Sequence, residues 1–239
     1  MRHWLSVSLF IIHLTGISQS ITRKIDISRI PQHKVRTLIA NQTDNSEILN
    51  MDELSASYEK GQDIKKYHII ESYYRLRESP DEVWNIYQET CPAESWNGKM
   101  VSFALLVSKN DNLVLYGNDN CFNGIDTGQV FYINLRLLKG LYNMAVALEI
   151  INIDVVNKSV TFSYLKGGKS RGEQTIYFLP TKKGYTRILH QTAFKSGKLI
   201  RDNYLYPWFH RKIINEFHRN MKRNLYADAN WSDSGKFRY

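Results

Sequence analysis

Few residues in this chain have the type and spacing that chemistry requires. His190 stands out, within Arg187-Ile-Leu-His-Gln-Thr192 and in period-two phase with Ile188, Thr192 and Phe194. If Ile188 and Phe194 face an interior, His190 faces it too, where a neutral imidazole can hydrogen-bond a ligand or act as a general base. Tyr164 is the matching donor for an oxyanion. His210 and His218 lie eight apart, about 80° round a helix, so they cannot chelate one metal as an i, i+4 pair would. They read as surface or boundary histidines. No metal or cofactor is expected.

Other constellations fall short of a site. Gly167-Gly-Lys169-Ser170 resembles a phosphate loop, but the first glycine of that motif would be residue 163, which is Ser163, and the segment joins two strands rather than a strand and a helix. Glu149, Asn134 and Arg136 alternate with apolar neighbours and fall on the open face of a sheet. No nucleophile elbow, paired carboxylates or Ser-His-Asp order stands out. Cys91, next to Pro92, reads as half of a disulfide with Cys121 rather than as a thiolate. Closing that loop of about 30 residues would be worth about 3.5 kcal/mol.

The oxidising compartment that such a bond needs is announced at the N-terminus. Residues 1–20 carry Arg2, then an apolar run from Trp4 to Leu14, then Ser18-Gln-Ser20, the pattern of a cleaved secretory signal. About 11 apolar residues are too few for the roughly 20 that span a bilayer. A secreted or periplasmic location is therefore expected, with the mature chain starting near Ile21. Asn41, Asn157 and Asn230 begin glycosylation sequons that a eukaryotic host would read.

The 239 residues are 43% hydrophobic and 13% aromatic, with 13 Gly and 5 Pro, enough to bury one core and too apolar for disorder. Cleavage takes Arg2 from the formal net charge of +9, leaving +8. Residues 21–65 hold seven cations and seven anions and a single aromatic, Tyr58, so the excess lies beyond them. They form an N-terminal arm with one helix expected over 46–60. The basic excess suits an anionic surface or acidic glycan. Nucleic acid is not expected, because no RNP-like or helix-turn-helix pattern accompanies it.

The elements that must position His190 and Tyr164 follow in order. Residues 67–76 read as a strand, and Ser79-Pro80-Asp81-Glu82 opens a helix with a capping box and proline in the first turn. A second short helix can follow Cys91-Pro92. From Met100 to Phe194 the period is two: strands at 100–107, 112–116, 129–137, 145–155, 159–165, 174–179 and 186–194, separated by turn chemistry and so antiparallel. Phe131, Ile133, Leu135 and Leu137 alternate with polar residues, which implies one covered face and one wet face. The cover is a long helix from Tyr204 to Leu225, whose Phe209, Ile213, Phe217 and Met221 recur every four residues.

This order, with the start Ser79-Pro-Asp-Glu-Val-Trp84, resembles the START-like, Bet v 1-like (SRPBCC) superfamily over residues 66–226. Phe162-Ser-Tyr164-Leu-Lys-Gly-Gly168, with Gly172-Glu-Gln174, is more weakly similar to its DUF1990 subgroup, which tends to carry a histidine near Lys169 or Ser170 and a second glutamate where Gln174 stands. The resemblance implies an α+β helix-grip fold: a curved antiparallel sheet of about seven strands around the C-terminal helix, with two short helices after the first strand. The tail over 227–239 lacks any period and is expected to be mobile. The resemblance further implies a cavity for a hydrophobic, lipid-like or polyketide-like small molecule. Period two assigns Phe131, Ile133, Leu135, Phe162, Tyr164, Ile188 and His190 to its sheet wall, and helical period assigns Phe209, Ile213 and Phe217 to the facing helix. The alternatives are a cyclase- or hydrolase-like enzyme using His190 and Tyr164, and a basic interaction module.

Overall fold

A computed structural model describes residues 20–43, 47–58, 62, 67–119, 122–196 and 201–232. The leader expected over residues 1–20 thus lies almost wholly outside the described residues, as does Cys121 of the expected disulfide. Cys91 is half-buried with a free thiol, and burial pushes its pKa up.

The arm forms strands β1 (Thr22–Lys24) and β2 (Ile48–Asn50), which pair antiparallel, with helix α1 (His33–Ala40) between them. The helix expected over 46–60 is not formed over its described residues, 47–58. Residues 48–50 are strand, Met51–Glu53 is a single 3-10 turn capped by Asn50, and Ala56 bridges Leu165. The arm's helix is instead α1, whose buried Val35 and Ile39 stand one turn apart.

The body follows the expected order: β3 (His68–Leu76), α2 (Pro80–Glu89), α3 (Pro92–Ser95), β4 (Val101–Ser108), β5 (Val114–Tyr116), β6 (Gln129–Leu137), β7 (Tyr142–Asp154), β8 (Ser159–Tyr164), β9 (Arg171–Pro180), β10 (Thr186–Lys195) and α4 (Tyr206–Ser232). The eight strands read from the sequence, against the about seven that the resemblance implies, make one antiparallel sheet in the order β3-β10-β9-β8-β7-β6-β4-β5. The α2 capping box is present: Glu82 N donates to Ser79 Oγ at 3.3 Å, and Ser79 N to Glu82 Oε2 at 2.8 Å. The final helix runs to Ser232, so the segment expected to be a mobile tail is helical for its first six residues.

Alternation along β6 sorts two cores. Phe131, Ile133, Leu135 and Leu137 face α4 together with Phe162, Ile176, Phe178 and Ile188. The opposite face is not wet. Val130 and Tyr132, with Ala104, Leu105 and Val107 of β4, pack under Ile25, Ile30, Val35, Ile39, Leu49 and Met51 of the arm. Glu149 lies on that face as expected, but buried, held by Lys109 Nζ at 2.6 Å while the same ammonium donates to Leu54 O at 2.7 Å. A buried carboxylate needs such a partner.

Helix α4 closes the other face. Ile213, Phe217, Met221 and Leu225 are buried, as the four-residue recurrence requires. Phe217 meets Trp96 at 4.4 Å between ring centroids, and Asn220 Nδ2 donates to Ser95 O and Asn97 O, tying α3 to the helix.

Candidate functional site: a cavity with a buried histidine chain

The cavity arises where the sheet parts. β7 pairs with β6 from Tyr142 onward, but with β8 only from Leu148, because β8 ends at Tyr164 and the chain turns at 165–170 before β9 begins. The first half of α4 spans this gap, and a cavity of about 1030 Å³ remains between helix and sheet. Its walls are apolar, with Ile133, Leu135, Val146 and Leu148 from the sheet facing Phe209 and Ile213 of α4. The lining includes one hydrogen-bonded polar cluster, Tyr164, Gln174, Tyr206 and His210. Lys169, Arg171 and Lys195 also line it, with no carboxylate among the described lining residues.

The expected lining residues divide. Ile133, Leu135, Tyr164, Phe209 and Ile213 border the large cavity. Phe131, Phe162 and Phe217 surround only a void of about 30 Å³ at the closed end and are core. Ile188 is buried core away from the opening. His190 does face inward, but it stands behind Gln174 and His210 rather than on the cavity wall.

What surrounds His190 is a continuous hydrogen-bonded chain. Tyr87 OH lies 2.8 Å from His218 Nδ1, and His218 Nε2 lies 2.8 Å from His190 Nδ1. His190 Nε2 meets Gln174 Oε1 at 3.1 Å, which His210 Nε2 also approaches at 3.3 Å, and Thr192 Oγ1 is 3.2 Å from the same His210 nitrogen. Gln174 Nε2 donates to Tyr164 OH at 2.9 Å, and Tyr164 OH bonds Tyr206 OH. His210 and His218 are therefore interior, correcting their assignment to the surface.

The amide fixes the direction of every proton. Gln174 Oε1 accepts only, so His190 carries its hydrogen on Nε2 and offers Nδ1 as a lone pair. His218 then donates from Nε2 and accepts from Tyr87 on Nδ1. All three imidazoles are neutral, because desolvation, reinforced by neighbouring imidazoles around His190 and His218 and by Arg211 beside His210, opposes their charging. The pKa is lowered to about 3 at His210 and His218 and well below its ordinary value at His190.

Both nitrogens of His190 are thus engaged by protein, and Gln174 separates its ring from Tyr164. The general-base role considered for His190 has no access to the cavity. Gln174 and Tyr206 were missed from the sequence, although Gln174 shares the phase of buried Ile176 and Phe178, an available sign of an interior polar residue.

No protein-family model and no curated protein sequence matches the chain. Among solved structures it is similar to a point mutant of Thalictrum flavum norcoclaurine synthase in complex with a transition-state analogue (TM-score 0.48, 12% identity, 68% of this chain and 96% of that one). It is also similar to ginseng major latex-like protein 151 from Panax ginseng (0.47, 13%, 65% and 95%) and to a protein from Thermus thermophilus (0.47, 12%, 67% and 99%). By its own order of elements, a strand, two short helices, an antiparallel meander and a long closing helix, the chain has the helix-grip fold.

Proposed function

We propose that this chain binds a hydrophobic small molecule between the sheet and α4, after export to a secreted or periplasmic location directed by residues 1–20. The observation that carries the reading is the apolar-walled cavity of about 1030 Å³ whose lining includes one hydrogen-bonded polar cluster, Tyr164, Gln174, Tyr206 and His210. Its size matches small-molecule sites, and each 100 Å² of ligand surface buried there contributes about 2.5 kcal/mol. Native mass spectrometry of the protein from its own source should show an adduct that organic extraction removes. Leu135→Trp, which narrows the cavity from its wall, should reduce the share of protein carrying the adduct. An undiminished adduct in folded variants narrowed at Leu135, Val146 and Ile213 in turn would place the ligand elsewhere.

The rim supports a second reading, docking on an anionic lipid surface. Leu138, Leu205 and Trp208 border the cavity yet are 57%, 52% and 51% exposed, beside the cations already named. Apolar side chains ringed by lysine and arginine suit an anionic bilayer. Vesicles containing phosphatidylserine should retain the protein at about 0.05 M salt and release much of it at 0.5 M. Equal retention by pure phosphatidylcholine would refute the electrostatic part.

A further inference from the structure

The face of α4 turned away from the sheet carries charge of one sign. Between Tyr206 and Tyr226 the helix has five cations, Arg211, Lys212, Arg219, Lys222 and Arg223, all exposed, against a single anion, Glu216. That anion is committed elsewhere, because both of its carboxylate oxygens accept from the Met100 amide, at 3.2 and 2.9 Å. At 100° per residue the five cations fall within an arc of about 120°, and they extend along about 18 Å of helix. No carboxylate among the described residues forms an ion pair with any of them. Glu94 and Glu78, which reach the far end of the helix, are engaged by Asn224 Nδ2 at 3.2 Å and Tyr226 OH at 3.3 Å.

This is not how a merely solvated helix face is composed. Such a face interleaves acids with bases, because opposite charges three or four residues apart attract and like charges repel. Here Arg219 stands three residues before Lys222 and four before Arg223, with no acid between the rows. The face therefore carries a repulsion that a bound polyanion would relieve. The surface also distinguishes among polyanions. From Arg211 to Arg223 the exposed face shows no aromatic ring on which a base could stack and no apolar side chain to enter a bilayer. A linear chain of sugar sulfates or carboxylates needs neither, and arginine forks suit its oxyanion groups.

We infer that the exposed face of α4 is a docking surface for a linear acidic polysaccharide, with Arg211, Arg219 and Arg223 as its principal contacts. None of the five cations lines the cavity, so the surface stands apart from the small-molecule site and the inference does not depend on it.

A fluorescently labelled heparin octasaccharide tests it, titrated against the full mature chain by anisotropy in about 0.15 M salt. The triple variant Arg211→Gln, Arg219→Gln, Arg223→Gln should bind at least about tenfold more weakly. A comparison variant of equal net charge, Lys24→Gln, Lys34→Gln, Lys182→Gln, removes three exposed cations from other elements and should stay within about twofold of the unmodified protein. Glutamine suits an exposed helix face and relieves the Arg219–Arg223 repulsion, so the helix variant should melt no lower than the unmodified chain. Equal weakening by the two variants would reduce the effect to net charge and overturn the docking surface. A short DNA duplex bound as tightly through the same three arginines, or vesicle retention on phosphatidylserine abolished by the same substitutions, would overturn the choice of polysaccharide. No binding of the octasaccharide by the unmodified chain at about 100 μM would overturn the inference whether or not the variants fold.

Discussion

Acid should unfold this protein through its buried histidines. In the folded state His190, His210 and His218 have pKa values held far below the 6.5 that each regains in the unfolded chain. The unfolded state therefore binds more protons below pH 6.5. Stability from this source is complete above that value and is lost as pH falls towards the folded pKa values. At pH 5.5 each unfolded imidazole gains about 1.4 kcal/mol from protonation, so three cost the native state about 4 kcal/mol relative to pH 7.5. That is a large part of a typical domain's total stability. Glu71, Glu82, Asp26 and Asp154 have lowered pKa values and lose their contributions only at more acid pH. Glu173, half-buried and pushed up by desolvation, works in the opposite sense. Urea unfolding at pH 7.5, 6.5 and 5.5 should show the midpoint falling steeply at constant slope. His218→Phe should be less stable at pH 7.5 but lose only about 3 kcal/mol over the same interval. An unfolding free energy that changes by less than 1 kcal/mol between pH 7.5 and 5.5 would refute the claim that these imidazoles are buried and neutral.

Three further outcomes are expected. Phe217→Ala, which removes a ring packed between Trp96 and Tyr87, should cost about 3 to 5 kcal/mol by thermal or urea unfolding, while Phe209→Ala on the cavity wall should cost noticeably less. Gly172→Ala should be among the most damaging single-methyl additions, because φ is +125° there and the new carbon would stand 1.9 Å from Ala193 O across the β9–β10 ladder; a melting temperature within 2 °C of the unmodified chain would count against that geometry. Lys109→Met should destabilise by about 2 kcal/mol or more by stranding Glu149, whereas Lys109→Met with Glu149→Met should recover most of the loss in the same unfolding assay.

Much of the architecture was legible because it is written in local chemistry. The Ser79–Glu82 box, Pro80 and the turn residues between strands act over a few positions, and the alternation at Phe131–Leu137 and the recurrence at Ile213–Met221 mark faces. The outer face was misjudged because alternation identifies a face without saying what lies on it. Val130 and Tyr132, and the nearly unbroken apolar run Phe103–Val107, were the available signs that both faces are covered. The arm was legible as a segment but not as the cover of that face, because charge and aromatic content mark it off while what docks it is aliphatic: Ile25, Ile30, Val35 and Ile39.

The sequence by itself determined which residues would be helix, strand and turn over most of the body, and which face of the last helix would be covered. Only the tertiary structure decided the site. His210 and His218 each sit one residue past a stripe position, at an angle that a flat partner would leave at the boundary. A sheet curved around α4 encloses a wider arc of the helix than the apolar stripe alone. It thereby draws both imidazoles into an interior where Tyr87, Gln174 and Thr192, far apart in sequence, supply the hydrogen bonds that make their burial tolerable.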